Sequence, residues 1–220
     1  MARHPGWHWL QPLLDAVHQG TSVSFLIKAL LLGAAVLLQA CAHAPAPPPE
    51  AGVPMLRLSP ASLGCVLSAQ QRMAVAVAGR AAQSAEVLLE VDAQAVNLAL
   101  VALGQTVARL VWDGQTLSEA RAPWAPAALS GERVLSELQL AGWPLDVVQA
   151  ALPTGWTLTA SERGRELRQG GALKLRVDYG PNRVWTLDNP QQGYRLTVQT
   201  LSHSTQGTPS SSAASGPACS

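Results

Sequence analysis

The chain has 220 residues and a formal net charge of +1, with 48% hydrophobic and 13% charged residues. This is the length of one domain plus processing segments, and it is apolar enough to bury a core. A balance so close to neutral offers no basic surface for nucleic-acid phosphates and does not describe a disordered acidic chain.

In chain order, the first distinctive stretch is Phe25–Leu38, FLIKALLLGAAVLL, apolar apart from Lys28. From Ala29 the unbroken run lasts about ten residues, too short to cross a bilayer comfortably but suited to the apolar region of a signal peptide. Lys28 supplies the positive charge before it. Leu38-Gln39-Ala40-Cys41 follows and resembles the lipobox of bacterial lipoprotein precursors. The small Ala40 fits the peptidase, and the Cys41 thiol takes the diacylglycerol. The expectation is a signal peptide over residues 1–40 and a lipid on Cys41 that attaches the protein to a membrane. Residues 41–54 include HAPAPPPEAGVP, a Pro/Ala-rich tether unable to form a core. Ala42 is not aspartate, which by the sorting rule of enteric lipoproteins implies the outer membrane, with the domain facing the periplasm. The other cysteines are Cys65 and Cys219. They are free to pair in an oxidising compartment, but their separation neither supports nor forbids it.

Residues 65–117 read as strands. Met73, Val75 and Val77 alternate with Arg72, Ala74 and Ala76, and Leu89 and Val91 with Glu90 and Asp92. Ala95–Leu103 is apolar on almost both faces; Gly104-Gln105 interrupts, and Thr106–Asp113 resumes the alternation before the Asp113-Gly114 turn. Ala120–Leu129, with Pro123 and Pro126, reads as a loop. Ser130 is a fitting N-cap for a helix through Ala141, with Val134, Leu135, Leu138 and Ala141 on one stripe. Pro144 suits the first turn of a second helix carrying Leu145, Val148 and Leu152. From Trp156 the period returns to two, through Leu158, then Leu173–Tyr179, Arg183–Leu187 and Tyr194–Leu201. Roughly nine strand-like runs with two short helices between their halves make a mainly β protein. The predicted fold is a curved antiparallel sheet, an open half-barrel, closed by a helical lid, over residues 55–203, with a Ser/Thr/Gly-rich disordered tail over 204–220.

The five histidines are His4, His8, His18, His43 and His203. None lies between Pro54 and Ser202, which argues against the usual Ser-His or Cys-His catalysis and against histidine-rich zinc sites. No catalytic residue, cofactor or metal is expected. Glu90 and Asp92 share one strand face, and a solvated face explains them better than paired acid–base chemistry.

Three stretches carry a family resemblance. Leu98–Thr106 is similar to a strand, leucine-tipped loop and strand; Leu138 through Pro144-Leu145 to Pro153 is similar to a helical lid and its exit; Tyr194, Leu196 and Val198 resemble a closing hairpin. Together they resemble the outer-membrane lipoprotein carrier and receptor group, the LolA/LolB-like fold, and within it an uncharacterised family of bacterial lipoproteins. The resemblance implies a hydrophobic cavity that binds or transfers an amphiphile, such as lipoprotein acyl chains. It also implies a protruding leucine on a strand-joining loop, here Leu103. The candidate cavity residues are Leu98, Leu100, Leu110, Trp112, Leu135, Leu138, Leu145, Val148, Leu152 and Trp156. The alternative is a non-catalytic assembly lipoprotein docking a protein partner through a sheet edge or helix face; a hydrolase ranks last.

Overall fold

The computed structural model describes residues 52–206 and 218–219. Contacts divide the chain into Met1–Ala51 and Gly52–Ser220. Cys41, the expected signal peptide and most of the tether lie outside the described residues.

Ten strands and two helices follow in order: β1 (Val66–Val77), β2 (Gln83–Val91), β3 (Val96–Ala102), β4 (Gln105–Trp112), β5 (Leu117–Arg121), α1 (Gly131–Gly142), α2 (Leu145–Ala151), β6 (Trp156–Ser161), β7 (Gly164–Gln169), β8 (Ala172–Tyr179), β9 (Val184–Asn189) and β10 (Tyr194–Gln206). They form one antiparallel sheet of order β5-β4-β3-β2-β1-β10-β9-β8-β7-β6. Two meanders thus meet at a β1–β10 seam, and the connection between β5 and β6 has to pass from one edge of the sheet to the other. The helices lie in that connection and cover one face. The predicted class, a mainly antiparallel open sheet with two lid helices, is the architecture observed.

Alternation sets the faces. Leu67, Ala69, Val87, Leu89, Val91, Val96, Leu98, Leu100, Leu110 and Trp112 are buried, and register pairs them directly: Leu67 with Val91, Ala69 with Leu89, Leu89 with Leu98, Leu98 with Leu110, and Val96 with Trp112. Opposed residues of an antiparallel pair share a face, so this is one continuous inner surface. It continues through Val198, Trp185, Leu187, Val177, Leu167 and Leu158 in the other half. Register shifts at Gln70/Gln71, Leu100/Val101 and Leu167/Arg168 add local twist and bend the strands, which suits a sheet that curls around its core. The outer face is polar. Glu166, Arg176, Asp188 and Arg195 stand opposite one another on four successive strands, with Arg176 2.5 Å from Glu166 and Arg195 2.6 Å from Asp188. Hydrogen bonds from Arg168 and Arg176 hold the Glu166 carboxyl below its ordinary value, and Glu166 in turn raises Arg176. These exposed pairs organise the face more than they stabilise it.

Two elements differ from expectation. β5 runs on into the start of the predicted loop Ala120–Leu129; its Ser118, Glu119, Ala120 and Arg121 are exposed, so an edge strand leaves no apolar alternation to read. β10 continues past Leu201 to Gln206, which places His203 on the inner face opposite Ala69.

Candidate functional site

The lid helix α1 begins at Ser130, whose hydroxyl accepts from the Arg133 N–H. An amphipathic helix normally leaves its polar side in water, yet Ser136, Glu137 and Gln139 are buried beside Leu135, Leu140 and Ala141. The reason is a second partner. Residues 54–59 run along the helix as an extended arm. Ser136 Oγ accepts from Leu56 N at 2.9 Å and donates to Pro54 O at 3.1 Å. The Gln139 amide both accepts from Leu58 N at 2.9 Å and donates to Leu58 O at 3.0 Å, as a neighbouring strand would. Trp112 Nε1 donates to the same carbonyl at 2.7 Å, and Trp143 Nε1 to Ser59 O at 3.3 Å. The arm's Leu56 and Leu58 enter the core.

The sheet holds the other side of α1. Arg165 on β7 is 1% exposed and donates to Leu140 O at 2.7 Å, while the Tyr179 hydroxyl on β8 donates to Ala141 O at 2.8 Å. The last carbonyls of a helix lack intrahelical donors and carry its negative end, so a cation and a phenol are suited to that place. Burial lowers the Arg165 guanidinium and pushes Tyr179 up to about 12, well outside neutral pH.

Nearer the start of α1, Glu137 accepts a short hydrogen bond from the Tyr194 hydroxyl, which itself accepts from Asn189 Nδ2 at 3.3 Å. Burial raises the Glu137 carboxyl; the Tyr194 hydrogen bond, Arg133 and Asn189 oppose the rise. A carboxyl raised on folding contributes stability that is complete below its unfolded value and is lost as pH rises through its folded value. Glu137→Gln keeps the acceptor for Tyr194 and cannot ionise. Its urea midpoint should therefore not share the decline of the parent protein as pH rises from 4.5, and should match or exceed the parent at pH about 8. A steeper decline in the variant would contradict this role. Tyr194→Phe should cost about 1–2 kcal/mol at either pH by leaving Glu137 without its donor.

The expected cavity residues fall in one cluster. Leu98, Leu100, Leu110 and Trp112 line the inner face of β3 and β4. Leu135 on α1, Val148 on α2 and Trp156 on β6 are buried in the same hydrophobic core, and Leu138, Leu145 and Leu152 are half-buried and packed against it. A cleft of about 90 Å³ lies beside it, between the C-terminal part of α1 and the β2-β1-β10-β9 region, lined by Leu67, Ala69, Leu89, Leu138, Trp185 and His203 among others. Ligand pockets usually measure roughly 300–1,000 Å³, so this cleft is smaller than most.

Leu103 is 100% exposed at the β3–β4 tip. With φ of 52° at Leu103 and 74° at Gly104, and Ala102 paired to Gln105, the pair forms a two-residue turn with both residues left-handed, a place that favours asparagine followed by glycine. A leucine there costs on the order of 1 kcal/mol in backbone strain.

Sequence reading missed the buried polar residues of α1, Arg165 and the arm; the alternation of Leu56 and Leu58 with Met55 and Arg57 was the available signal for the last. Cys65 and Cys219 are joined by a disulfide, with their Cα atoms 6.3 Å apart. Among the described residues no His/Cys/Asp/Glu group could hold a metal, and no helix is long and apolar enough to cross a membrane.

The chain is similar to a domain assigned as an outer membrane lipoprotein-sorting protein from Vibrio parahaemolyticus, at 11% identity over 66% of this chain and 86% of that one, with a TM-score of 0.37. It is similar to a LolA superfamily protein from Nitrosomonas europaea, at 6% identity over 69% of this chain and 91% of that one, TM-score 0.34. The Pseudomonas aeruginosa MucA/MucB complex gives 13% identity over 73% of this chain and 59% of that one, TM-score 0.36. No curated protein matches the sequence. The family model for the protein of unknown function DUF3261 matches residues 68–202, more than half of the chain and nearly all of the sheet with its lid, and the chain belongs to the DUF3261 family.

Proposed function

We propose that this protein is a lipoprotein anchored through Cys41 in the outer membrane, and that its periplasmic domain binds or transfers an amphiphile under the helical lid without turnover. The ligand class is a lipoprotein acyl chain or a related lipid. The observation that carries this reading is Leu103: a large apolar side chain, wholly in water, held in a backbone conformation that a leucine resists. Exposed apolar groups that cost stability call for a partner surface, and a hairpin tip is well placed to enter a lipid layer. The disulfide fits an oxidising compartment such as the periplasm.

The closed cleft is too small for an acyl chain, so binding requires α1 and α2 to lift. Leu98, Leu100, Leu110, Trp112 and Trp156 on the sheet and Leu135, Leu138, Leu145, Val148 and Leu152 on the lid would then face the ligand. A 16-carbon chain releases roughly 12 kcal/mol on burial, before costs, enough to offset partial opening. The test is mass spectrometry of organic extracts from the full chain carrying Cys41→Ser, purified without detergent. A stoichiometric amphiphile is expected. A protein that comes out empty and also fails to take up a fluorescent fatty acid would overturn the reading.

Leu103→Asn separates function from fold. Asparagine suits the left-handed turn, so stability should rise by about 0.5–1 kcal/mol, while transfer to lipid vesicles should fall about tenfold or more. A loss of stability would place Leu103 among structural residues instead. The second reading, a non-catalytic assembly lipoprotein, is favoured by the position of β5 at the edge of the sheet among the described residues, where a backbone can accept an added strand. It predicts an empty domain and a stable protein partner.

A further inference from the structure

We infer that the Ala218–Cys219 segment is a disulfide-latched stopper of the cleft beside α1, so that ligand entry is under thiol–disulfide control. The inference rests on the amphiphile-binding reading and adds its regulation. Cys65 lies between the short 3-10 turn Pro60–Leu63 and β1. Its bond to Cys219 brings the Cys219 sulfur to 3.8 Å from Leu63 O and sets Ala218 in the lining of the cleft, with Leu138, Ala141 and Gly142 of the lid. The last residue of α1 is built for this approach: a Cβ on Gly142 would stand 3.1 Å from the Ala218 Cβ.

What holds the segment there is the covalent bond. After β10 ends at Gln206, the intervening sequence 207–217, GTPSSSAASGP, contains no large apolar side chain. The methyl group of Ala218 is worth only about 0.8 kcal/mol when buried. Both cysteines are half-buried, so a small dithiol can reach them. Its thiolate attacks one sulfur of the Cys65–Cys219 bond to give a mixed disulfide, and its second thiol resolves that. The bond takes up two electrons and two protons, leaving two cysteine thiols, and the dithiol becomes its own disulfide. Ala218 is then free to leave, which uncovers the apolar wall of Leu67, Ala69, Leu89 and Trp185 and removes a contact that helps hold the end of α1 down.

The experiment uses the full chain in three forms: oxidised, reduced with dithiothreitol, and Cys65→Ser/Cys219→Ser. Two readouts are taken, uptake of a fluorescent fatty acid and amide exchange over residues 138–143 relative to β2 and β3. Release of the latch should raise apparent affinity about tenfold, because the open fraction rises. It should also speed exchange at the end of α1 more than in the central strands. Unchanged relative exchange, or faster exchange while all forms bind the fatty acid with the same affinity, would overturn the stopper. If no form takes up the fatty acid but the end of α1 opens on reduction, the latch stands and the amphiphile reading falls. If all forms bind alike with equal exchange, the reading stands and the latch falls. Removing residues 207–220 from Cys65→Ser protein should reproduce the reduced state without reductant.

Discussion

Replacing Arg165 with alanine should lower the unfolding free energy by about 3–5 kcal/mol, measured by urea denaturation at neutral pH. Arg165 projects from β7 into the core and is 1% exposed, and its guanidinium meets the Leu140 carbonyl at 2.7 Å. Three losses combine in the variant. The side chain leaves a cavity among Leu, Val and Tyr neighbours, the carbonyl at the end of α1 loses a charged donor, and the helix loses the cation at its negative end. Arg165→Met separates the first loss from the others, since it refills most of the volume, and should cost about 1–3 kcal/mol. A cost below about 1 kcal/mol for the alanine variant would show that the arm, Tyr179 and Tyr194 hold the lid without Arg165. The outcome matters for function because Arg165 and Tyr179 are the sheet's grip on the lid's last turn. Weakening them should favour the open state, so Arg165→Met should also take up fatty acid more readily than the parent if the lid is the gate.

The parts of the fold that the sequence discloses are those with one wet and one dry side. β2 alternates Val87, Leu89 and Val91 with Glu86, Leu88 and Glu90, and the structure buries the first set and exposes the second; a period of two can be read directly from such a strand. The two helices and their place between the halves of the sheet follow from Ser130, Pro144 and the stripe through Leu135 and Leu138. Legibility fails wherever the environment has another geometry. β5 is exposed on nearly all its residues, so composition looks like loop. Ser136, Gln139 and Arg165 are polar residues placed inside by partners distant in sequence, 80, 81 and 25 residues away. No local pattern reports a partner at that distance. The Cys65–Cys219 bond spans 154 residues, and pairing across such a span is decided by the fold that brings the two together. The candidate cavity residues were legible as apolar inner-face positions; whether they face a ligand depends on an opening of the lid that no periodicity encodes.

Gly164→Ala should destabilise the protein by about 3 kcal/mol or more, or prevent folding. Gly164 starts β7, directly after the tight β6–β7 turn in which Ser161 pairs with Gly164. Its φ is 157°, and a Cβ placed on it would lie 2.0 Å from the Val177 carbonyl oxygen of β8. That neighbour is backbone in the middle of a ladder, flanked by the Tyr179 N to Arg163 O bond of 2.8 Å, so it cannot swing aside as a long side chain would. The strands must separate or shift, and a displaced β7 carries Arg165 away from Leu140 O. The two adjacent substitutions therefore act partly on the same contact. In the double variant Gly164→Ala/Arg165→Met, if it can be refolded, the total cost should fall short of the sum of the single costs by about 0.5–3 kcal/mol. Strict additivity would mean that β7 absorbs the methyl group locally and leaves the lid's anchor in place, and a single-variant cost under about 1 kcal/mol would mean that the β7–β8 ladder can yield at this point.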